Sequence, residues 1–216
     1  MEKNKQFVIT INRELGSGGR TIGEKLAARL GVPFYDKALV KAIEEKYNLT
    51  VEEIERIKGE RHSWWADFQR NITPFSDAAK WTYYSAEAYE KPEKLTSENM
   101  FKTETRILEE MAQDGSCVIA GRSAFFIFRN HPNHLNILIQ APFEQRVQRV
   151  MTKQNLSKEV AVNVLHAVDK KREYYVNRYT GSSRYDTRNY DLVVNMKNMT
   201  EDDAVELIMD FIEKSR

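Results

Sequence analysis

The sequence predicts an α/β fold: a parallel β-sheet with helices packed on both faces. Three observations predict it. Short β-branched apolar runs alternate along the chain with segments whose apolar residues recur at helical spacing. A glycine-rich turn, Gly16-Ser-Gly-Gly19, stands directly between the first such run and the first helical segment. The chain of 216 residues is long enough for one domain of this kind and marginal for two.

Phe7-Val-Ile-Thr-Ile11 is short and mostly apolar, as a strand covered on both faces must be. A four-residue link leads to the glycines. Thr21 then opens a helical segment with Ile22, Leu26, Ala27 and Leu30 on one face, ending at Gly31. Val32-Pro-Phe-Tyr35 reads as a short second strand ending at Asp36. Three further strands are expected in Cys117-Val-Ile-Ala120, Leu135-Asn-Ile-Leu-Ile139 and Leu192-Val-Val194. Helices are expected over 98–113, 143–151, 157–179 and 200–214. Thr200 with Asp203, and Thr50 with Glu53, have the spacing of a capped helix start. Residues 38–95 depart from this rhythm. They hold no convincing strand but all three tryptophans, Trp64, Trp65 and Trp81, and predict a helical insertion on the sheet rather than a separate domain.

Composition narrows the function. Hydrophobic residues make up 41% and charged residues 30%, a globular balance. Thirty-three Lys and Arg against 32 Asp and Glu leave a net charge of +1, which gives no global footprint for nucleic acid or an anionic membrane. Any anion site must be local. One cysteine, Cys117, excludes an intramolecular disulfide and a cysteine-rich metal cluster. No run approaches the ~20 apolar residues of a membrane span, and polar residues 1–6 show no secretory leader, so a cytoplasmic protein is expected.

Three of the nine glycines, Gly16, Gly18 and Gly19, sit between a strand and a helix. Glycines there let backbone amides approach phosphate oxygens, and the helix start adds partial positive charge. Arg20 can neutralise the outer phosphates and the Thr21 hydroxyl can ligate Mg²⁺. The layout approximates the phosphate loop G-x-x-x-x-G-K-[ST]. Glu14 stands in the first glycine's place and Arg20 in the lysine's; arginine keeps the charge but binds as a bulkier fork. Two other readings stand beside this one: a glycine turn without a ligand, and a dinucleotide site. For the latter, Gly16-x-Gly18-x-x-Thr21 is near G-x-G-x-x-G and Asp36 lies ~20 residues on, but Thr21 occupies a position that needs glycine for close helix–sheet contact.

Arg122, in Ala120-Gly-Arg-Ser123, follows a strand and so projects onto the same carboxyl edge as the glycine loop. A basic stretch runs from Lys170 through Lys171, Arg172 and Arg178, with Arg184 and Arg188 beyond Gly181. Alone it reads as a solvated helix face. It gains interest because phosphoryl transfer uses arginines to balance charge on the moving group. Other features look structural: His131 and His134 around Pro132 in a loop, and Cys117 in a buried strand.

Ile9-Thr-Ile-Asn-Arg-Glu-Leu-Gly-Ser-Gly-Gly-Arg20 resembles the opening signature of the cytidylate kinase-like family, a branch of the P-loop nucleoside monophosphate kinases whose loop closes with arginine. Pro33-Phe-Tyr-Asp-Lys-Ala-Leu39 is similar to the segment carrying an Asp-Thr-Gly motif in bona fide cytidylate kinases, with Asp36 matching and the threonine and glycine absent. Gly121-Arg122 resembles a Gly-Arg-Asp motif with Ser123 in place of the acid, and Tyr190-Asp-Leu-Val-Val-Asn195 resembles the last sheet strand. The resemblance implies a three-layer P-loop kinase sandwich around a five-stranded parallel sheet. Its core would span 1–37 and 96–216, with an acceptor-binding insertion at 38–95 and a lid at 152–190. By the same resemblance, Gly16, Ser17, Gly18 and Gly19 would wrap the β-phosphate of ATP, Arg20 would contact the β and γ phosphates, and Thr21 would hold Mg²⁺. Arg122 would bind the acceptor's phosphate, Asp36 would position the acceptor, and Arg172 and Arg178 would close over the transferring group.

Two functions follow from these residues. One is a small-molecule kinase passing the γ-phosphoryl of ATP to an acceptor, with (d)CMP the leading candidate. The other is a nucleotide-binding or sensing protein without turnover, supported by the altered loop and acceptor motifs. Neutral net charge disfavours a nucleic-acid-binding module.

Overall fold

A computed structural model describes residues 1–36 and 98–215. The expected insertion over 38–95, with its tryptophans and the Thr50 cap, lies outside the described residues. Five strands form one parallel sheet: β1 (Val8–Arg13), β2 (Phe34–Asp36), β3 (Cys117–Ala120), β4 (His134–Gln140) and β5 (Leu192–Asn195), in the order β2-β3-β1-β4-β5. The helices are α1 (Gly19–Leu30), α2 (Glu98–Asp114), a one-turn α3 (Ala124–Ile127), α4 (Phe143–Gln154), α5 (Lys158–Thr180) and α6 (Glu201–Lys214).

The central strand sorts its side chains by the two-residue period of a strand. Ile9 and Ile11 join Ile22 and Leu26 of α1, Ile137 and Ile139 of β4, and Ile208 of α6 in one apolar layer. Val8 points the other way, into a layer with Ile107, Leu108 and Met111 of α2 and Phe128 after α3. Two helical layers around one sheet follow directly. A third cluster joins α4 to α5 through Val147, Val150, Ala161, Val164, Leu165 and Val168, with Leu15 of the glycine turn seated on it. Each of these large apolar residues is worth roughly 1.5–3 kcal/mol when fully buried, so the loop's base rests on a firm hairpin.

The ends of elements show what side chains add to periodicity. Thr200 and Asp203 form the expected capping box: Asp203 N donates to Thr200 Oγ1 at 3.2 Å, and Thr200 N to Asp203 Oδ2 at 3.0 Å. Ser157 caps α5 by accepting from Val160 N at 3.4 Å. β1 runs on past Ile11 because Asn12 and Arg13 pair in register with Leu138 and Ile139. His134 is a correction to the expected loop: it pairs with Val8 and opens β4, while His131 stays in the connection. Residues 152–190, the expected lid, comprise the end of α4, a three-residue turn, α5 and a short 3₁₀ turn at Thr187–Asn189. Among the described residues, no helix is long and apolar enough to cross a membrane.

Strand order places the site. The chain leaves β1 toward β2 on one side and β4 lies on its other side, so β1 is the switch point, where clefts open beyond the carboxyl ends of α/β sheets. The glycine loop follows β1, and Gly121-Arg122 follows β3 next to it.

Candidate active site

The glycine loop folds under the end of β1. Glu14 N donates to Ile139 O at 3.2 Å, and Ser17 donates from both N and Oγ to Glu14 O, at 3.3 and 2.9 Å. Gly16 (φ 78°) and Gly18 (φ 87°) take left-handed conformations that other residues adopt only with strain. No side chain caps the start of α1. The site test for a phosphate chain is what surrounds that start. Gly16, Gly18, Gly19, Arg20 and Thr21 line a cavity of about 220 Å³ whose other walls supply Arg13, Arg149, Lys153 and Arg172. Five cations against two acidic residues on the same wall, Glu14 and Glu24, leave an excess of positive charge beside a helix N-terminus, which suits a polyphosphate.

Glu14, in the first glycine's place, does not plug this cavity. Its Oε2 accepts from Ala141 N at 3.1 Å and its Oε1 pairs with Arg146 Nη1 at 3.1 Å. Arg146 is buried; it donates from Nε to Leu15 O at 2.8 Å and pairs with Asp169 of α5. Glu14 is thus a fastening between the loop and the α4–α5 hairpin. Ser17 likewise turns inward, and its bonds stay within the loop.

Arg20 lines the cavity but is already held by two carboxylates, Asp36 Oδ2 at 2.8 Å from Nε and Glu24 Oε1 at 2.7 Å from Nη2. The sequence places Asp36 with the acceptor; the structure brings it to Arg20.

A second, smaller cavity of about 60 Å³ lies between the ends of β1 and β3 and the side of α5. Arg13, Arg122, Lys171, Arg172 and Arg184 line it, and no carboxylate does among the described residues. Three consecutive residues at its edge, Gly121, Arg122 and Ser123, have φ of 83°, 56° and 56°. Two non-glycine residues in that region store strain of order 1–3 kcal/mol each, a cost that clusters at functional sites. Arg122 is braced from behind by the buried Glu104 of α2, and Tyr175 Oη donates to the same carboxylate at 2.5 Å. Its guanidinium also lies 5.4 Å from the centre of the Tyr175 ring.

Arg13 and Arg172 line both cavities. Arg178 lines neither; it is exposed on α5, 6.0 Å from the centre of the Tyr179 ring. Sequence reasoning missed Arg13, Arg149 and Lys153, and named Arg184 only as part of the basic stretch. The spacing of Arg149 and Lys153, one helical turn apart, was the available signal.

For a metal, Thr21 is in place on the cavity wall. No group of three or more His, Cys, Asp or Glu converges among the described residues. The Thr21 hydroxyl is an oxygen ligand of the kind Mg²⁺ takes beside waters and phosphate. Cys117 is buried, and burial pushes its thiol up to about 12, as packing rather than nucleophilic use requires.

Comparison with known proteins bears on the family and the fold. The sequence matches the cytidylate kinase-like family over residues 8–198. An uncharacterized protein from Eubacterium ventriosum has a similar structure, with a TM-score of 0.70, 24% identity, and coverage of 98% of this chain and 100% of that one. Shikimate kinase from Bacteroides thetaiotaomicron shares the fold at a TM-score of 0.52 and 16% identity, over 97% of this chain and 99% of its own. A curated relative, a uronate isomerase from Corynebacterium glutamicum, is 31% identical over 111 residues, which is 51% of this chain. The match spans only 21% of that protein's length. With the glycine loop closed by arginine, the Gly121-Arg122 turn beside it and a match running from β1 to beyond β5, the chain belongs to the cytidylate kinase-like family and has the P-loop kinase fold.

Proposed function

We propose that this protein is an ATP-dependent phosphotransferase acting on a small molecule, with a nucleoside monophosphate such as (d)CMP as acceptor. The observation that carries this reading is the pair of cation-lined cavities that share Arg13 and Arg172. A donor polyphosphate in the loop cavity and an acceptor anion in the inner cavity would meet at those two side chains.

Each residue then has a task. The loop's backbone and Arg20 hold the donor's phosphates, with Arg149 and Lys153 adding charge from α4. Arg122, stiffened by Glu104 and Tyr175, holds the acceptor. Arg13 and Arg172 offset the charge that develops on the group in transit, an effect worth roughly 10³–10⁵ in rate where one arginine supplies it. Thr21 would hold Mg²⁺, which when bound neutralises charge on the donor's phosphate oxygens. Little general-base chemistry is required, because positioning and charge balance do most of the work.

A second reading, nucleotide binding without turnover, draws support from one feature. Arg20 is engaged by Asp36 and Glu24, so a nucleotide has to compete for it. The two readings part on acceptor-dependent ADP release from ATP-Mg²⁺ across a panel of nucleoside monophosphates. The kinase reading expects ADP release that needs an acceptor and disappears in Arg172→Ala. Tight ATP binding with no acceptor-dependent ADP for any member of the panel would leave the sensing reading.

A further inference from the structure

Leu15, the residue before Gly16 of the glycine loop, is held by both of its backbone groups. Its carbonyl oxygen accepts from Arg146 Nε at 2.8 Å, and its amide donates to Asp169 Oδ1 at 3.3 Å. The two holders are themselves joined, because Arg146 Nη2 donates to Asp169 Oδ2. Arg146 stands on α4 and Asp169 on α5, so the three residues close a ring that ties the loop to both helices of the hairpin. The Leu15 side chain is buried in the apolar cluster between the same two helices. Gly16 packs as closely: a Cβ there would stand 2.8 Å from Arg146 O. Only 6% of the Arg146 side chain and 16% of the Asp169 side chain are exposed, so the attraction between them is little screened.

Arg172 follows Asp169 by three residues, on the same side of α5 and about 4.5 Å further along its axis. α5 is pinned again beyond that point. Tyr175 Oη donates to the buried Glu104 of α2, and Glu173 Oε2 accepts from Arg184 N at 3.1 Å. Arg184 Nη2 in turn donates to Asn12 Oδ1 of β1 at 3.1 Å. We infer that Asp169 is a positioning residue: with Arg146 it locks α5 to the backbone of Leu15 and so fixes where Arg172 stands relative to the glycine loop. The middle of α5 is then a fixed wall of the site, although it falls within the stretch expected to act as a lid. What the lock does for turnover rests on the proposed phosphotransferase reading, in which Arg172 offsets charge on the group in transit. Misplacing such a group by about 1 Å costs about 10²-fold in rate. Asp169 lines neither cavity, so it acts through Arg172.

The test has a kinetic arm and a distance arm, both on the full chain. Asp169→Asn keeps the side chain's size and an oxygen acceptor for Leu15 N, but sets an amide donor against Arg146 Nη2. Its kcat for acceptor-dependent ADP release is expected to fall at least tenfold, with both KM values within threefold of the parent. In an Arg172→Ala background the same substitution is expected to change kcat less than twofold, because nothing is left for Asp169 to place. Losses that multiply, a tenfold rise in both KM values, or a kcat within twofold of the parent would overturn the inference. The distance arm needs no turnover. Spin labels are placed through Ala28→Cys on α1 and Asn177→Cys on α5, both exposed positions, while the native Cys117 is buried. One narrow distance distribution is expected in the parent, unchanged by ATP, and at least twice as broad in Asp169→Asn. A broad distribution in the parent, or an equal width in the variant, would overturn the inference. Should Asp169→Asn not fold, Asp169→Glu keeps the charge on a longer arm. It is expected to shift the mean distance and to lower kcat at least tenfold, again only with Arg172 present; neither change would overturn the inference equally. The kinase reading fails separately: no ADP release for any nucleoside monophosphate, with a narrow distribution that Asp169→Asn broadens, removes that reading and keeps the lock. ADP release and a distance distribution both indifferent to Asp169→Asn do the reverse.

Discussion

Arg20 Nε donates to Asp36 Oδ2 at 2.8 Å, joining the first turn of α1 to the last residue of β2. Asp36 is buried and Arg20 is mostly so. The pair therefore fixes the arginine's direction at the mouth of the loop, and it also sets a carboxylate in competition with any phosphate that Arg20 would bind. Removing that competitor gives the first prediction. Asp36→Asn keeps an oxygen acceptor for Nε while deleting the charge, so ATP affinity is expected to rise several-fold. Stability is expected to fall by less than the roughly 3–5 kcal/mol of a fully buried pair that loses one partner, because Glu24 still holds Nη2. Calorimetric titration and urea unfolding measure the two. A tenfold rise in acceptor KM with unchanged ATP affinity would instead assign Asp36 to the acceptor.

Gly19 shows how tightly the loop is built. It needs no left-handed conformation, yet a Cβ there would stand 2.6 Å from Arg13 Cβ and 3.2 Å from Ile139 Cβ. Gly19→Ala is therefore expected to displace Arg13, lowering stability by about 1–3 kcal/mol as overpacking does and weakening ligands of both cavities together. An effect confined to one ligand would contradict the sharing of Arg13.

Buried His134 gives a pH signature. Thr10 Oγ1 donates to Asn136 Oδ1 at 2.7 Å, so His134 Nε2, 2.7 Å away, is the donor to Thr10. Burial holds the imidazole neutral and lowers its pKa from 6.5 to about 4. The unfolded chain binds the extra proton first, so stability is complete above pH 6.5 and is lost as pH falls toward 4. Between pH 7.5 and 5.0 this histidine is expected to cost about 2 kcal/mol, at 1.36 kcal/mol per pH unit below its unfolded value. Urea unfolding at the two pH values measures it, and His134→Gln should flatten the difference. The carboxylates held below their usual range, Glu144, Asp186 and Asp203, titrate beneath this window.

Arg172 and Arg178 lie six residues apart on one helix but in different surroundings. Arg172→Ala is expected to lower kcat by about 10³-fold or more, the effect of losing a charge-balancing arginine, with ATP affinity changed far less. Steady-state and single-turnover rates measure it. A comparable loss in Arg178→Ala would show that α5 carries that exposed side chain inward during turnover.

What could be read in the sequence was what depends on local pattern. Cys117–Ala120 is a strand over the expected residues because a β-branched run between polar flanks has few other uses. Thr200 and Asp203 cap a helix because both bonds close within four residues. Arg13 was not legible as a site residue: it ends a strand, and only the approach of β3 and α5 puts its side chain between two cavities. Arg149 and Lys153 look like any solvated helix face until the hairpin turns α4 toward the loop. Glu14 looked like a defect in a phosphate loop. Its purpose required Arg146 and Ala141, more than 120 positions away, to be seen beside it.

The most direct test of the account is calorimetric titration of ATP into the parent protein, Arg20→Ala and Arg122→Ala. The account predicts that the parent binds one nucleotide, that Arg20→Ala binds it at least a hundredfold more weakly, and that Arg122→Ala stays within threefold. No binding to the parent, or equal losses in both variants, would contradict a loop cavity built for the donor's phosphates.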